Sequence, residues 1–150
     1  MESGTRPVKG TRKMIAAMTP VLQDGTFVFC SLLLKSDASE AASVSLGMFA
    51  EDEGLSLILK RSDADRFDLA YDKPMRQITL MVYQSVSAVG MTSMVTSELA
   101  RATIPTKVVT ASQHVHLFVH SDKADEAMEK LRALHLPCRN ARTDAHAARR

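Results

Sequence analysis

An α+β fold of two ferredoxin-like units in tandem, each an antiparallel βαββαβ sheet with helices on one face, is predicted by three features of the sequence. From Ile78 onward the chain reads strand, helix, strand, strand, helix. The half before it repeats that plan less regularly. The polar, proline-bearing turn Tyr71, Asp72, Lys73, Pro74 divides the two.

The second half carries the clearer signals. Ile78 to Tyr83 is a dense apolar run with a β-branched Thr79 inside it, the pattern of a strand covered on both faces. Met91, Met94, Val95, Leu99 and Ala102 recur at spacings of three, four and seven, which keeps them on one helical face. Ser85 and Ser87 precede that helix as candidate caps, and Pro105 stops it. Lys107 to Ala111 and Val115 to Val119 are two β-branched runs separated by Ser112 and Gln113, as in a hairpin. A second helix is expected from Asp122 as N-cap, with Ala124, Ala127, Met128, Leu131 and Leu134 on its buried face. The last strand of this unit is lacking in the pattern: Leu136 begins where it should run, but Pro137 cannot donate a ladder hydrogen bond, so any closing strand would be short and at an edge.

In the first half, Met14, Ile15 and Met18 form a helical stripe ended by Pro20. Phe27 to Leu34 is an almost uninterrupted strand, and Leu55 to Leu59 is another, entered through Gly54. Serine-rich chain from Ser36 to Ser45 lies between them, followed by Leu46 to Phe49 as a single helical turn; Ser62 to Phe67 closes the half with a short helix. The resulting division is a flexible N-terminus over 1–12, a first unit over 13–74, a second over 75–136 and a flexible basic tail over 137–150.

With 45% hydrophobic and 24% charged residues over 150 positions, the composition is that of a globular domain able to bury a core. Nineteen Lys and Arg against 17 Asp and Glu leave a net charge of only +2, which argues against a nucleic-acid or membrane surface. Two cysteines, Cys30 in an apolar run and Cys138 beside Pro137, make a disulfide framework improbable, and no run of 18 apolar residues appears. The expected location is the cytoplasm.

Several strings resemble a known family in order and spacing. They are Met18 to Leu22 with Gly25 to Cys30; Phe49 to Leu59; Ile78, Thr79, Leu80 with Ser85 to Thr92; and His114 to Val119. Together they are similar to small paired ACT-domain proteins, over about Met14 to Leu134. The resemblance implies two ferredoxin-like ACT units and regulatory binding of a small molecule, usually an amino acid, at a cleft between units or subunits. Two positions depart from that group's pattern: Ser87 stands where an acidic residue is common, and Val115 where an Asp separates the two histidines.

The turn from Gln84 through Ser85, Val86, Ser87, Gly90, Met91 and Thr92 is the candidate ligand-binding site. It leads from a strand end into a helix whose opening N–H groups are unpaired and suited to a carboxylate. Gly90 permits close approach, and Ser85, Ser87 and Thr92 offer hydroxyls. The same residues also fit a purely structural role, with serines as caps and Gly90 making room for packing.

His114, His116 and His120 share a strand face by period-two spacing, which raises a metal hypothesis. Phe118 interrupts the row, so a half-polar sheet face is the preferred reading, with Val115, Leu117 and Val119 toward the helices. Glu51, Asp52 and Glu53 read as a solvated turn. No nucleophile elbow, phosphate loop or zinc spacing occurs. The expectation is a non-enzymatic amino-acid-binding regulatory module, without a cofactor or metal and working as a homodimer; the alternative is a ligand-free dimerisation or protein-interaction module.

Overall fold

The computed structural model describes residues 15, 17–33, 39–81 and 90–134. In chain order its elements are β1 (Thr19–Leu22), β2 (Phe27–Leu33), α1 (Ser39–Ser43), β3 (Gly47–Glu51), β4 (Gly54–Lys60), α2 (Arg61–Arg66), β5 (Met75–Met81), α3 (Met91–Arg101), β6 (Thr106–Thr110), β7 (Val115–His120), a 3-10 turn (Ser121–Lys123) and α4 over residues 124–134. No helix among the described residues is long and apolar enough to cross a membrane.

Two compact units divide the chain. One is continuous, Gln23–Gln77, and is called the inserted unit here; the other joins Met1–Leu22 to Ile78–Arg150 and is called the split unit. The boundary expected after residue 74 thus falls after Gln77, inside β5. The segment before Gln23, expected with the first half, groups with the second.

The inserted unit follows the order β2, α1, β3, β4, α2 and the start of β5, with its strands arranged β3-β4-β2 and Phe27 of β2 paired to Met75. Period-two alternation builds its core. Val28, Cys30 and Leu32 on β2 stand beside Leu59, Leu57 and Leu55 on β4, and Ala41 of α1 and Ala64 of α2 pack onto that face. Cys30 is buried there, and burial pushes its thiol pKa up.

Three features punctuate this unit. Gly54 turns the chain from β3 into β4 at φ 152°, where a Cβ would collide with the carbonyl oxygen of Leu32. Asp68 adopts φ 54° after α2, and Leu69 N–H donates to the Ala64 carbonyl at 2.9 Å, closing the helix. Tyr71 ties the following loop to α2: its hydroxyl donates to Asp65 Oδ1 at 2.7 Å and accepts from Arg61 Nε at 3.2 Å.

The split unit has the strand order β1-β5-β7-β6. Ile78 and Leu80 of β5, Val115, Leu117 and Val119 of β7, Met91, Val95 and Leu99 of α3, and Ala124, Ala127, Met128 and Leu131 of α4 form one cluster. Ile15 and Met18 join it, both at 0% exposure. Burying each contributes roughly 1.5–3 kcal/mol, which explains why the N-terminal segment groups with this unit.

In a βαββαβ unit the last strand lies beside the first. The split unit fills that place with β1, whose Thr19, Val21 and Leu22 stand opposite Met81, Thr79 and Ile78. The closing strand expected from Leu136 falls outside the described residues. Pro20 does not merely end a helix, as its position suggested. It sits within β1, which pairs only with β5 among the described residues, so a missing N–H is tolerated.

Two local expectations are corrected. Residues 46–49 are not a helical turn, because Gly47–Glu51 pairs along its whole length with β4 and the cross-strand ladder outweighs local propensity; the helix lies earlier, at Ser39–Ser43. Asp122 does not cap α4. It lies within the 3-10 turn, which follows His120 with no side-chain cap.

Candidate ligand-binding site

Of the seven residues in the proposed turn, Gln84, Ser85, Val86 and Ser87 lie outside the described residues, and so do the helix caps expected from Ser85 and Ser87. Gly90, Met91 and Thr92 are described. Gly90 is the N-cap of α3, at φ 106° and ψ −13°, a left-handed conformation that side chains disfavour. Its carbonyl accepts the first intrahelical bond, from Met94 N–H at 2.9 Å.

The amides of Met91, Thr92 and Ser93 precede that bond and have no acceptor within the helix. α3 carries no acidic residue in its first turn, so the positive end of its dipole is not neutralised from within the helix. Met91 contributes its amide alone. Its side chain is 2% exposed and packs in the split unit's core with Val95 and Leu99. Thr92 is half-buried, and its carbonyl accepts from Thr96 Oγ1 at 2.8 Å.

The histidine strand takes a different shape from the one its spacing suggested. His116 Nδ1 lies 3.1 Å from Thr79 Oγ1 on the neighbouring β5. The His114 ring meets His116 edge-on with centroids 6.4 Å apart, and His114 Nδ1 is buried without a hydrogen-bond partner among the described residues. Phe118 is on the same face and only 1% exposed, and Thr79 is buried too, so part of this half-polar face is packed while the three histidines stay partly buried. Val115, Leu117 and Val119 turn toward the helices as expected. No group of three or more His, Cys, Asp or Glu side chains among the described residues is placed to hold a metal ion. The Thr79–His116 pair escapes a sequence reading because the two residues are 37 positions apart and only strand adjacency joins them.

Burial, and secondarily the neighbouring His114, lowers the pKa of His116 from 6.5. Folding therefore favours the neutral ring. Stability is complete above about pH 6.5 and declines as pH falls through the lowered folded value, because the unfolded chain takes up a proton that the folded chain resists. Thermal melts between about pH 7.5 and 5.5 are expected to show a steeper acid loss for the native chain than for His116→Asn. Equal slopes would contradict this.

Glu51, Asp52 and Glu53 are exposed around the β3–β4 turn, and Glu51 Oε1 accepts a hydrogen bond from Ser56 Oγ.

The ACT domain family model matches residues 8–76. A solved structure of a protein of unknown function from Vibrio cholerae, described as a possible transport protein, is 30% identical; the match covers 85% of this chain and 97% of that one, with a TM-score of 0.76. The chain belongs to the ACT-domain family.

Two further structures share the ACT-type fold at lower identity. A protein from Agrobacterium tumefaciens is 17% identical with a TM-score of 0.69, covering 79% of this chain and 89% of its own. The ligand-free regulatory subunit of aspartate kinase from Thermus thermophilus is 7% identical with a TM-score of 0.55, covering 79% and 98%. None of the curated proteins matches the sequence. In this ACT chain, Gly90 opens α3 of the split unit, immediately after the 82–89 segment that follows β5.

Proposed function

We propose that the chain is a non-catalytic regulatory module that binds a small ligand, an amino acid, through the segment from Gln84 to Thr92. The supporting observation is Gly90: its left-handed conformation opens α3 and leaves the Met91, Thr92 and Ser93 amides without helical acceptors, next to a first turn free of carboxylates. Such an end suits an α-carboxylate. ACT membership and the fold shared with an aspartate kinase regulatory subunit support the regulatory reading. In this reading the module works in the cytoplasm as a homodimer.

A thermal-shift panel of the common amino acids tests the ligand. At 100 times its Kd a bound ligand adds about 2.7 kcal/mol, a shift of several degrees for a chain of this size. Gly90→Ala is expected to lower the melting temperature by a few degrees through backbone strain and to abolish the ligand-induced shift. Flat melting temperatures across the panel at millimolar concentration would overturn the reading. They would favour a ligand-free interaction module, to which the exposed Met48 and Phe49 also point.

A further inference from the structure

Histidine is distributed unevenly between the two units. All five of the chain's histidines, at 114, 116, 120, 135 and 146, fall in the split unit, and the inserted unit, Gln23–Gln77, has none. Imidazole is the side chain whose ordinary pKa brings a change of charge between about pH 5 and 8. The two units therefore answer mild acid differently wherever the fold favours a neutral histidine.

The register of the split unit creates such a position. β7 lies between β5 and β6, and with Val115, Leu117 and Val119 in the core, His116, Phe118 and His120 take its other side, together with His114 just before the strand. His116 Nδ1 meets the hydroxyl of Thr79 on β5 at 3.1 Å, and Thr79 is only 4% exposed. The His114 ring stands edge-on to His116 at 6.4 Å. Its Nδ1 is buried with no hydrogen-bond partner among the described residues, so a proton added there would meet no acceptor. Two charged rings at this separation would also repel each other.

The neighbouring strands do nothing to welcome a proton. β6 contributes Lys107, which stands opposite Phe118 on the same side of the sheet, and β7 adds His120. The positions of β1 and β5 on that side carry no titratable group: Thr19 and Val21 stand opposite Met81 and Thr79. These four strands thus bring cations and no carboxylate to the side that holds the histidine pair.

The geometry points to a pH-sensitive switch: proton uptake by the His114–His116 pair opens the β5–β7 ladder of the split unit in mild acid, while the inserted unit keeps its fold. The burial that holds the His116 pKa down supports it, because the packed strand resists a proton that the opened strand accepts. Once in water the ring binds that proton at the ordinary value of about 6.5, so the closed form is favoured above that pH and loses ground below it. Between pH 7.5 and 5.5 the opening equilibrium rises by up to about tenfold for one such ring and about a hundredfold for two. The switch goes beyond the function proposed above and requires neither its ligand nor its dimer.

Amide hydrogen exchange on the full chain at pH 7.5 and 5.5, corrected for the intrinsic pH dependence of exchange, reads both units at once. Protection in β7 and in residues 78–81 is expected to fall at least about fivefold at the lower pH, and protection in the β2–β4 ladder to change less than about twofold. Replacing both rings, His114→Asn with His116→Gln, is expected to hold the β7 change below about twofold, while His120→Asn leaves the fall in place. Should the double variant fail to fold, the comparison of β7 with β2–β4 in the native chain decides alone. Unchanged β7 protection, an equal fall in both units, or a fall that survives the double substitution would each overturn the proposal.

Discussion

Replacing Gly54 with alanine is expected to destabilise the chain by about 3–5 kcal/mol, the largest effect of any single substitution proposed for it. Two costs add. The backbone at φ 152° disfavours any Cβ, worth about 1–3 kcal/mol, and the new methyl runs into the Leu32 carbonyl, a backbone atom locked in the β2–β4 ladder. Relief requires moving β2 or β4, and both carry the core of the inserted unit. Gly25 supplies the control. Its φ of 93° also disfavours a side chain, yet a Cβ there meets only the Phe27 ring at 3.8 Å, an ordinary contact, so Gly25→Ala should cost only about 1 kcal/mol. Urea unfolding separates the two as midpoints at similar m-values. Equal midpoints for the two variants would show that β2 yields freely at Leu32.

Deleting residues 1–22 is the second large perturbation. It removes Ile15 and Met18 from the split unit's core and strips β1 from the flank of β5, a loss of roughly 4–6 kcal/mol against a typical total of 5–15. The damage should be local. Hydrogen exchange is expected to show lost amide protection in β7 and in residues 78–81, while the β2–β4 ladder of the inserted unit keeps its protection. Had residues 13–22 belonged with the first half, as their position in sequence suggests, β2 and β4 would lose protection instead. The same deletion thus reads the connectivity of the two units directly.

The legible parts of this chain were those where one local signal sufficed. The uninterrupted run beginning at Phe27 and the Met91, Val95, Leu99 stripe announced β2 and α3, and Val115, Leu117 and Val119 announced by alternation which face of β7 meets the helices. The misread parts were those where a weak local signal met a strong distant one. Leu46 to Phe49 has little intrinsic preference, and β4 captured it as a strand. For the row of histidines, alternation says which residues share a side but leaves open whether that side packs or stays wet; Phe118 and Thr79 are buried there. At the candidate site, the sequence singled out Gly90 for close approach, and the backbone adds that it is a left-handed helix cap; the Met91 side chain serves the core.

By itself, then, the sequence determined the fold class and the ferredoxin-like succession of strands and helices, because hydrophobic period and turn chemistry act between residues a few positions apart. Tertiary structure alone decided that β1 completes the split unit, that the units exchange chain inside β5, and that β3 is left as an apolar edge. Those outcomes depend on which of several similar strands lie side by side. That choice is made by burying Ile15, Met18 and their partners together, an energy shared by residues more than sixty positions apart, which no local pattern records.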